Sequence, residues 1–244
     1  MRDQVALITG GSRGLGYAIA EGLAAAGFDV IIASRRLDAC RHAAEQIMAR
    51  YGVGALPVAC NVSDWAACDR LVERAYDEFQ SVDVLVNNAG LSPLYPSLDE
   101  LSEDLFDKVI AVNLKGPFRL TAAIGTRMAE LDGGSIINIS SVEAVRPSPE
   151  ALPYAAAKSG LNTLTKGFAQ AFGPTVRVNG IQAGPFLTDI AERWPPGLKE
   201  TMEQKLALGR CGRPDEIVGA AVYLATEASS YVTGAVLQVD GGRQ

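Results

Sequence analysis

The sequence has one histidine, His42, and only four cysteines in 244 residues, so chemistry built on histidine pairs or cysteine clusters has little to draw on. Cys40, Cys60, Cys68 and Cys211 lack metal-ligand spacing and read as reduced packing residues rather than a disulfide framework. No apolar run approaches the ~18–20 residues of a membrane span, and Met1-Arg2-Asp3-Gln4 leads straight into a strand pattern without a signal-peptide cleavage site. A cytoplasmic protein with no membrane contact is expected. Positive charge is also scarce: the net charge of −6 argues against a nucleic-acid footprint. There is no Pro/Ser-rich linker, charge run, internal repeat or low-complexity segment, so residues 1–244 read as a single domain. His42 lies in the polar helical stretch Leu37–Tyr51 beside Arg41 and reads as a solvated surface residue.

What the chain does have begins at its first apolar strand, Val5-Ala6-Leu7-Ile8, which runs into Thr9-Gly10-Gly11-Ser12-Arg13-Gly14-Leu15-Gly16. Leu15, Ile19 and Leu23 then recur at helical spacing. Glycines in a tight turn between a strand and a helix leave backbone N–H groups free to point at an anion, as a dinucleotide diphosphate requires. Further along, Tyr154 and Lys158 stand one helical turn apart, separated by three alanines, with Ser141 upstream at the end of an apolar run. A phenol has a reference pKa of ~10, so using one near neutrality calls for a nearby cation to stabilise its phenolate. The three residues read as a proton-transfer site.

Strand-like runs fall at Val5–Thr9, Asp29–Ala33, Ala55–Cys60, Asp83–Asn87, Gly134–Ser140, Thr175–Ile181 and Ala235–Val239, with helical patterns between them. Val84-Leu85-Val86 and Ile136-Ile137 are apolar on consecutive positions, as in parallel strands covered on both faces. The pattern predicts an α/β, doubly wound Rossmann-type domain with a parallel sheet of about seven strands. Its ligands are expected at the carboxyl ends of the strands.

Taken together, Gly10-x-x-x-Gly14-x-Gly16, Asn87-Asn88-Ala89-Gly90, Asn113, Ser141 and Tyr154-x-x-x-Lys158 resemble the signature set of the short-chain dehydrogenase/reductase family. Within it, the chain is most similar to the 3-oxoacyl-(acyl carrier protein) reductase-like group. Gly209 through Ile217 and Thr233 through Gly242 resemble the family's closing segments, so the match spans essentially the whole chain. The resemblance implies catalytic roles for Ser141, Tyr154, Lys158 and Asn113, the last holding a water chain from Lys158 towards solvent. It implies a nicotinamide dinucleotide contacting Gly10, Ser12, Arg13, Gly14, Leu15, Gly16, Ser34, Arg35, Asn61, Val62, Asn88, Ala89, Gly90, Tyr154, Lys158, Gly184, Phe186 and Thr188. It also implies a homotetramer and no metal. Two positions depart from the family pattern: Asn61 stands where an aspartate is common, and Ala183 precedes Gly184 where proline is frequent.

Cofactor choice depends on the residues after the second strand, where a carboxylate would bind a ribose 2′-hydroxyl. The chain reads Ala33-Ser34-Arg35-Arg36 instead, so NADP(H) is favoured over NAD(H), with guanidinium groups gripping the 2′-phosphate. The activity expected is NADPH-dependent reduction of a ketone, a 3-oxoacyl thioester or related carbonyl, with Tyr154 as proton donor. The same residues serve an alcohol, hydroxysteroid or polyol dehydrogenase in the oxidative direction, and a non-catalytic nucleotide sensor is the remaining alternative. Residues 188–208 are expected to form a substrate lid, with Phe186, Leu187, Ile190, Trp194, Leu198 and Met202 making it partly apolar. Glu143 reads equally as a substrate contact and as a solvent-facing carboxylate.

Overall fold

The computed structural model describes residues 4–93, 95–189, 191 and 194–243. Seven parallel strands form one sheet: β1 (Val5–Thr9), β2 (Asp29–Ser34), β3 (Ala55–Ala59), β4 (Val84–Asn87), β5 (Gly134–Ser141), β6 (Val176–Ala183) and β7 (Val236–Val239). Their order is β3-β2-β1-β4-β5-β6-β7, with the chain reversing direction across the sheet beside β1. The expected strands are all present, with ends within a residue or two of the sequence reading.

Apolar residues on consecutive positions divide between two cores, one on each face. From β1, Ala6 and Ile8 pack with Ile19 and Leu23 of helix α1 (Gly14–Ala25) and Ile47 of α2 (Leu37–Tyr51). Val5 and Leu7 point the other way, against Leu71 of α3 (Trp65–Phe79) and Leu120 and Ile124 of the helix beginning at Gly116. Leu7, Ile8, Ile19, Leu23 and Ile31 are among the largest fully buried side chains. Burying each contributes about 1.5–3 kcal/mol, which fixes the sheet between its two helical layers. The register aligns Thr9 with Ala33, Asn87 with Asn138 and Ser141 with Ala183. The strand ends that carry the motifs therefore share one edge.

The remaining helices are α4 (Glu103–Ile110), α5 (Gly116–Glu130), α6 (Leu152–Phe172), the short α7 (Leu198–Glu203) and α8 (Val218–Ala225). Between α4 and α5 the helix continues through one π turn, Ala111–Lys115. Asn113 lies in that turn, fully buried. Its Nδ2 donates to Val109 O at 2.9 Å and to Leu91 O at 2.8 Å, and its Oδ1 accepts from Leu91 N at 3.2 Å. A side-chain amide bonding into the helix and across to a loop is a recognised cause of such a bulge.

Asn88 fastens the glycine turn to the sheet. Its Nδ2 donates to Thr9 O at 2.9 Å, and the Thr9 hydroxyl accepts from the backbone N–H groups of Asn88 (3.0 Å) and Ala89 (3.1 Å). Gly10 adopts a φ of 66°, and a Cβ on Gly16 would lie 2.3 Å from both Gly10 O and Asn88 Nδ2. No rotamer relieves a clash with backbone oxygen, so Gly16→Ala should lower the unfolding free energy by about 1–3 kcal/mol, as overpacking does. Urea denaturation checks it; an unchanged midpoint would mean that the turn is looser than this packing.

Among the described residues no helix is long and apolar enough to cross a membrane. All four cysteines are buried, unpaired thiols, and His42 is exposed.

Candidate active site

Ser141 closes β5, while Tyr154 and Lys158 stand on the first turns of α6, so the junction of sheet and helix brings the three together. The Ser141 hydroxyl is hydrogen-bonded with the Tyr154 phenol and accepts from Glu143 N at 3.2 Å. Burial pushes the Tyr154 phenol up; the Ser141 hydrogen bond pulls it back and the Glu143 carboxylate adds to the rise. Lys158 is 3% exposed, with Nζ 5.6 Å from the Tyr154 ring centroid and donating to Ile139 O at 2.7 Å. Burial alone lowers its pKa to about 8.

This arrangement departs from the sequence expectation at one point. The i,i+4 spacing predicts an ammonium that lowers the phenol's pKa, but in the protein alone the amine is turned to the Ile139 carbonyl and the phenol is raised. The cause is geometric: sharing a helix face brings Nζ over the ring, while the end of β5 supplies a stronger acceptor. Asn113, expected to help hold a water chain running from Lys158 towards solvent, has its side-chain amide bound to Leu91 and Val109. A Cβ on Gly90 would lie 3.3 Å from Asn113 Oδ1 and 4.0 Å from Lys158 Nζ, so the bare Gly90 backbone is what separates the two.

Around this centre the other expected residues line the carboxyl edge of the sheet. Gly10, Gly14, Leu15 and Gly16 form the turn and first residues of α1, whose N-terminus has no side-chain cap and no acidic residue in its first turn. Its N–H groups are thus available to an anion. Ser12 Oγ donates to Ser34 Oγ at 3.0 Å, joining this turn to the end of β2. Arg35 and Arg36 follow there, exposed and without an ion pair among the described residues. Asp38, the nearest carboxylate, pairs with Arg41 instead. Bare glycine backbone, an uncapped helix start and free guanidinium groups suit a phosphorylated dinucleotide.

Arg13 does not join that pair. Its guanidinium bonds the Asp189 carboxylate across the cleft, linking the glycine turn to the loop after β6. A Cβ on Gly14 would lie 3.5 Å from Thr188 Cγ2, so the two loops face each other closely. In that second loop Gly184 abuts Asp240, and Leu187 N donates to Gly212 O at 2.8 Å. Phe186 is 7% exposed, packed on Gly212 in the core, and so does not line a lid as expected. Ile190, also expected in the lid, lies outside the described residues. At the segment's far end, Ala207 N and Leu208 N donate to Gly242 O and Gly241 O at 3.1 and 3.0 Å.

On the opposite flank, Asn61 Oδ1 accepts from Ser63 N (3.3 Å) and Ser63 Oγ (3.0 Å), forming a turn just before α3. Val62 is buried behind it. The Asn61 oxygen is thus engaged by its own loop, leaving its NH2 group as the outward function.

Sequence reasoning missed a buried polar chain beneath the centre. Asn87 Nδ2 donates to Thr121 Oγ1 and Asn138 Oδ1, and Asn138 Nδ2 donates to Thr165 Oγ1, each at 2.9 Å. It ties β4, β5, α5 and α6 together. Its signal was Asn138 interrupting the apolar run Ile136-Ile137-Asn138-Ile139.

The comparisons with known proteins agree with this geometry. The family model described as Enoyl-(Acyl carrier protein) reductase matches residues 10–244. The L-rhamnose 1-dehydrogenase (NAD(P)(+)) of Azotobacter vinelandii is 37% identical, over 98% of this chain and 96% of that protein. The 3-oxoacyl-[acyl-carrier-protein] reductase of Thermotoga maritima is 36% identical, over 99% and 98%. A solved structure, a blue fluorescent protein from a metagenomic library in complex with NADPH, superposes with a TM-score of 0.91 at 34% identity, over 99% and 98% of the two chains. With near-complete coverage at these identities and the Ser141–Tyr154–Lys158 centre in place, the chain belongs to the short-chain dehydrogenase/reductase family, as an oxidoreductase acting on CH–OH/C=O groups.

Proposed function

We propose that this oxidoreductase uses NADP(H) to reduce a ketone, a 3-oxoacyl thioester or related carbonyl, to a secondary alcohol. The observation that carries the reading is the Ser141–Tyr154 hydroxyl pair, whose phenol is raised by burial and stays protonated near neutrality. A protonated phenol is the form that donates, so this environment supports the reductive direction.

When bound, the dinucleotide supplies the hydride. Tyr154 gives its proton to the carbonyl oxygen as negative charge grows there, and Ser141 donates a hydrogen bond to the same oxygen. Because the Ser141 oxygen accepts from Glu143 N, its own proton is left for the phenol or the substrate. Lys158 would hold the nicotinamide ribose, and its ammonium would offset the negative charge left on the phenol as the proton leaves. Asn113 and the Gly90 backbone keep this floor in place. Gly10, Ser12, Gly14, Leu15 and Gly16 would hold the diphosphate, Asn61, Val62, Asn88, Ala89 and Gly90 the adenosine side, and Gly184, Phe186 and Thr188 the nicotinamide end. Arg13, paired with Asp189, would brace the cleft as well as meet phosphate. Residues 188–208 would cover the substrate.

Ser34 and Arg35 would grip the 2′-phosphate, a reading supported by the unpaired guanidinium groups after β2 and by the NADPH in the metagenomic structure. The unpaired thiols support a reducing, cytoplasmic setting. Exposed Trp65 and Phe118 on one side and Tyr223 and Leu237 on another offer apolar faces for a homotetramer.

A charge-assisted hydrogen bond contributes about 1.5–3 kcal/mol. Arg35→Ala should therefore weaken NADPH binding by about 10- to 100-fold while leaving NADH nearly unaffected. Titration of nicotinamide fluorescence measures both. Tighter NADH binding by the wild type, or equal weakening of both cofactors, would overturn the NADP(H) assignment.

A further inference from the structure

Between Ser141 and α6 the chain makes a short strap, residues 142–148, whose side chains have no part in the reaction just described. It is tightly held. Val145 N and Arg146 N both donate to Val142 O, at 3.1 and 2.9 Å, and Ser159 Oγ on α6 donates to Ala144 O at 2.5 Å. Within the strap the Glu143 carboxylate is fixed by one oxygen only: Oε2 accepts from Ser148 N at 2.7 Å and from Ser148 Oγ at 2.9 Å. Its other oxygen, Oε1, accepts no hydrogen bond among the described residues. No ion pair there neutralises the carboxylate either, although Arg146 is three residues away on the same strap.

Such a carboxylate, half-buried and held rigid with one oxygen unused, is an acceptor waiting for a donor. Glu143 adjoins the reaction centre in two ways. The Glu143 backbone N–H bonds the Ser141 hydroxyl, and its charge is felt at the Tyr154 phenol. Tyr154 also borders an apolar hollow lined by Pro93, Tyr95, Leu101 and Pro153. Tyr95 Oη is turned away there, donating to Pro149 O at 2.5 Å and accepting from Leu152 N at 3.1 Å. The strap carboxylate and this apolar hollow thus both lie near Tyr154.

We propose that Glu143 is a specificity-determining residue whose free oxygen accepts a hydrogen bond from a hydroxyl on the carbon next to the reacting carbonyl, so that the substrate is an α-hydroxy ketone and the product a vicinal diol. This rests on the carbonyl-reductase reading above and narrows it. The step balances as before: the carbonyl carbon gains hydride, its oxygen gains the Tyr154 proton, and the neighbouring hydroxyl is unchanged. Ser148 is the positioning residue, since its two hydrogen bonds aim the carboxylate.

The test compares 2-hydroxycyclohexanone with cyclohexanone by NADPH absorbance in wild type, Glu143→Leu, Glu143→Gln and Ser148→Ala, with cofactor fluorescence reporting folding. A site that bonds a substrate hydroxyl discriminates strongly against the analogue lacking it. The wild type should prefer the hydroxy ketone by about tenfold or more in kcat/KM, mainly through KM. That ratio, which cancels any general loss of folded enzyme, should collapse towards one in Glu143→Leu. Glu143→Gln, which keeps an acceptor oxygen, should retain part of it, and Ser148→Ala should reduce it through KM. Turnover of both ketones with a ratio near one in wild type, or a ratio untouched by Glu143→Leu, overturns the assignment and leaves the reductase reading standing. Cofactor binding with turnover of neither ketone counts against the reductase reading itself.

Discussion

Tyr154→Phe should reduce kcat for ketone reduction by about 10²–10⁴-fold, the range that a positioned general acid supplies, while NADPH fluorescence still saturates. Phenylalanine keeps the ring beneath which Lys158 packs and removes only the proton that the carbonyl oxygen needs. Ser141→Ala should cost about 10²–10³-fold, as expected for one donor to a developing oxyanion. It should also move the alkaline limb of the rate profile upward, because the Ser141 hydrogen bond is what offsets part of the phenol's rise. The two residues act on one oxygen, so the double variant should be little worse than Tyr154→Phe alone. Equal pH profiles for wild type and Ser141→Ala would show that the hydroxyl does not tune the phenol. Full activity in Tyr154→Phe would remove the proton-donor assignment altogether.

Most of the fold was legible because its signals are local. Short runs such as Val84-Leu85-Val86, spaced between helical patterns, read as strands covered on both faces, and Gly10 and Gly16 mark a turn where a side chain would meet Asn88 or Gly10 O. Tyr154 and Lys158 were legible for the same reason, since helical spacing alone puts them on one face. What was not legible depends on partners remote in sequence. Arg13 reads as a phosphate ligand, but its partner Asp189, brought across the cleft by the loop after β6, has no signal in the sequence. The π turn at Asn113 needs the backbone of Leu91 from a different loop. Phe186 reads as an apolar lid residue, but the close approach of Gly212 draws it into the core. Glu143 was balanced between substrate and solvent because only the fold shows that Ser148 occupies one of its two oxygens.

Lys158→Met should make the protein more stable at neutral pH even as it removes activity. Burial alone lowers the lysine from its usual 10.5 to about 8. At roughly 1.4 kcal/mol per unit, holding the charged amine inside costs the fold about 3 kcal/mol. Because the folded pKa lies below the unfolded one, the unfolded chain binds more protons between about 8 and 10.5, so wild-type stability rises with pH across that window. Below about 8 both states are protonated and the whole penalty is present; above 10.5 it has vanished. Methionine occupies similar volume without charge but leaves Ile139 O without its donor, a loss of about 1 kcal/mol. The net gain at pH 7 is then about 2 kcal/mol, or roughly 4–8 °C in Tm for a chain of this size. The advantage should shrink as pH rises and reverse near 10.5, where only the lost hydrogen bond separates the two proteins. Tyr154, the titratable group packed against the amine, is present in both proteins and titrates above its usual value. Thermal unfolding of both proteins from pH 7 to 10.5 measures this directly. A wild type more stable than Lys158→Met throughout would mean that the ammonium is solvated or paired in solution, and that the buried charge beneath Tyr154 is not a strain the enzyme maintains for catalysis.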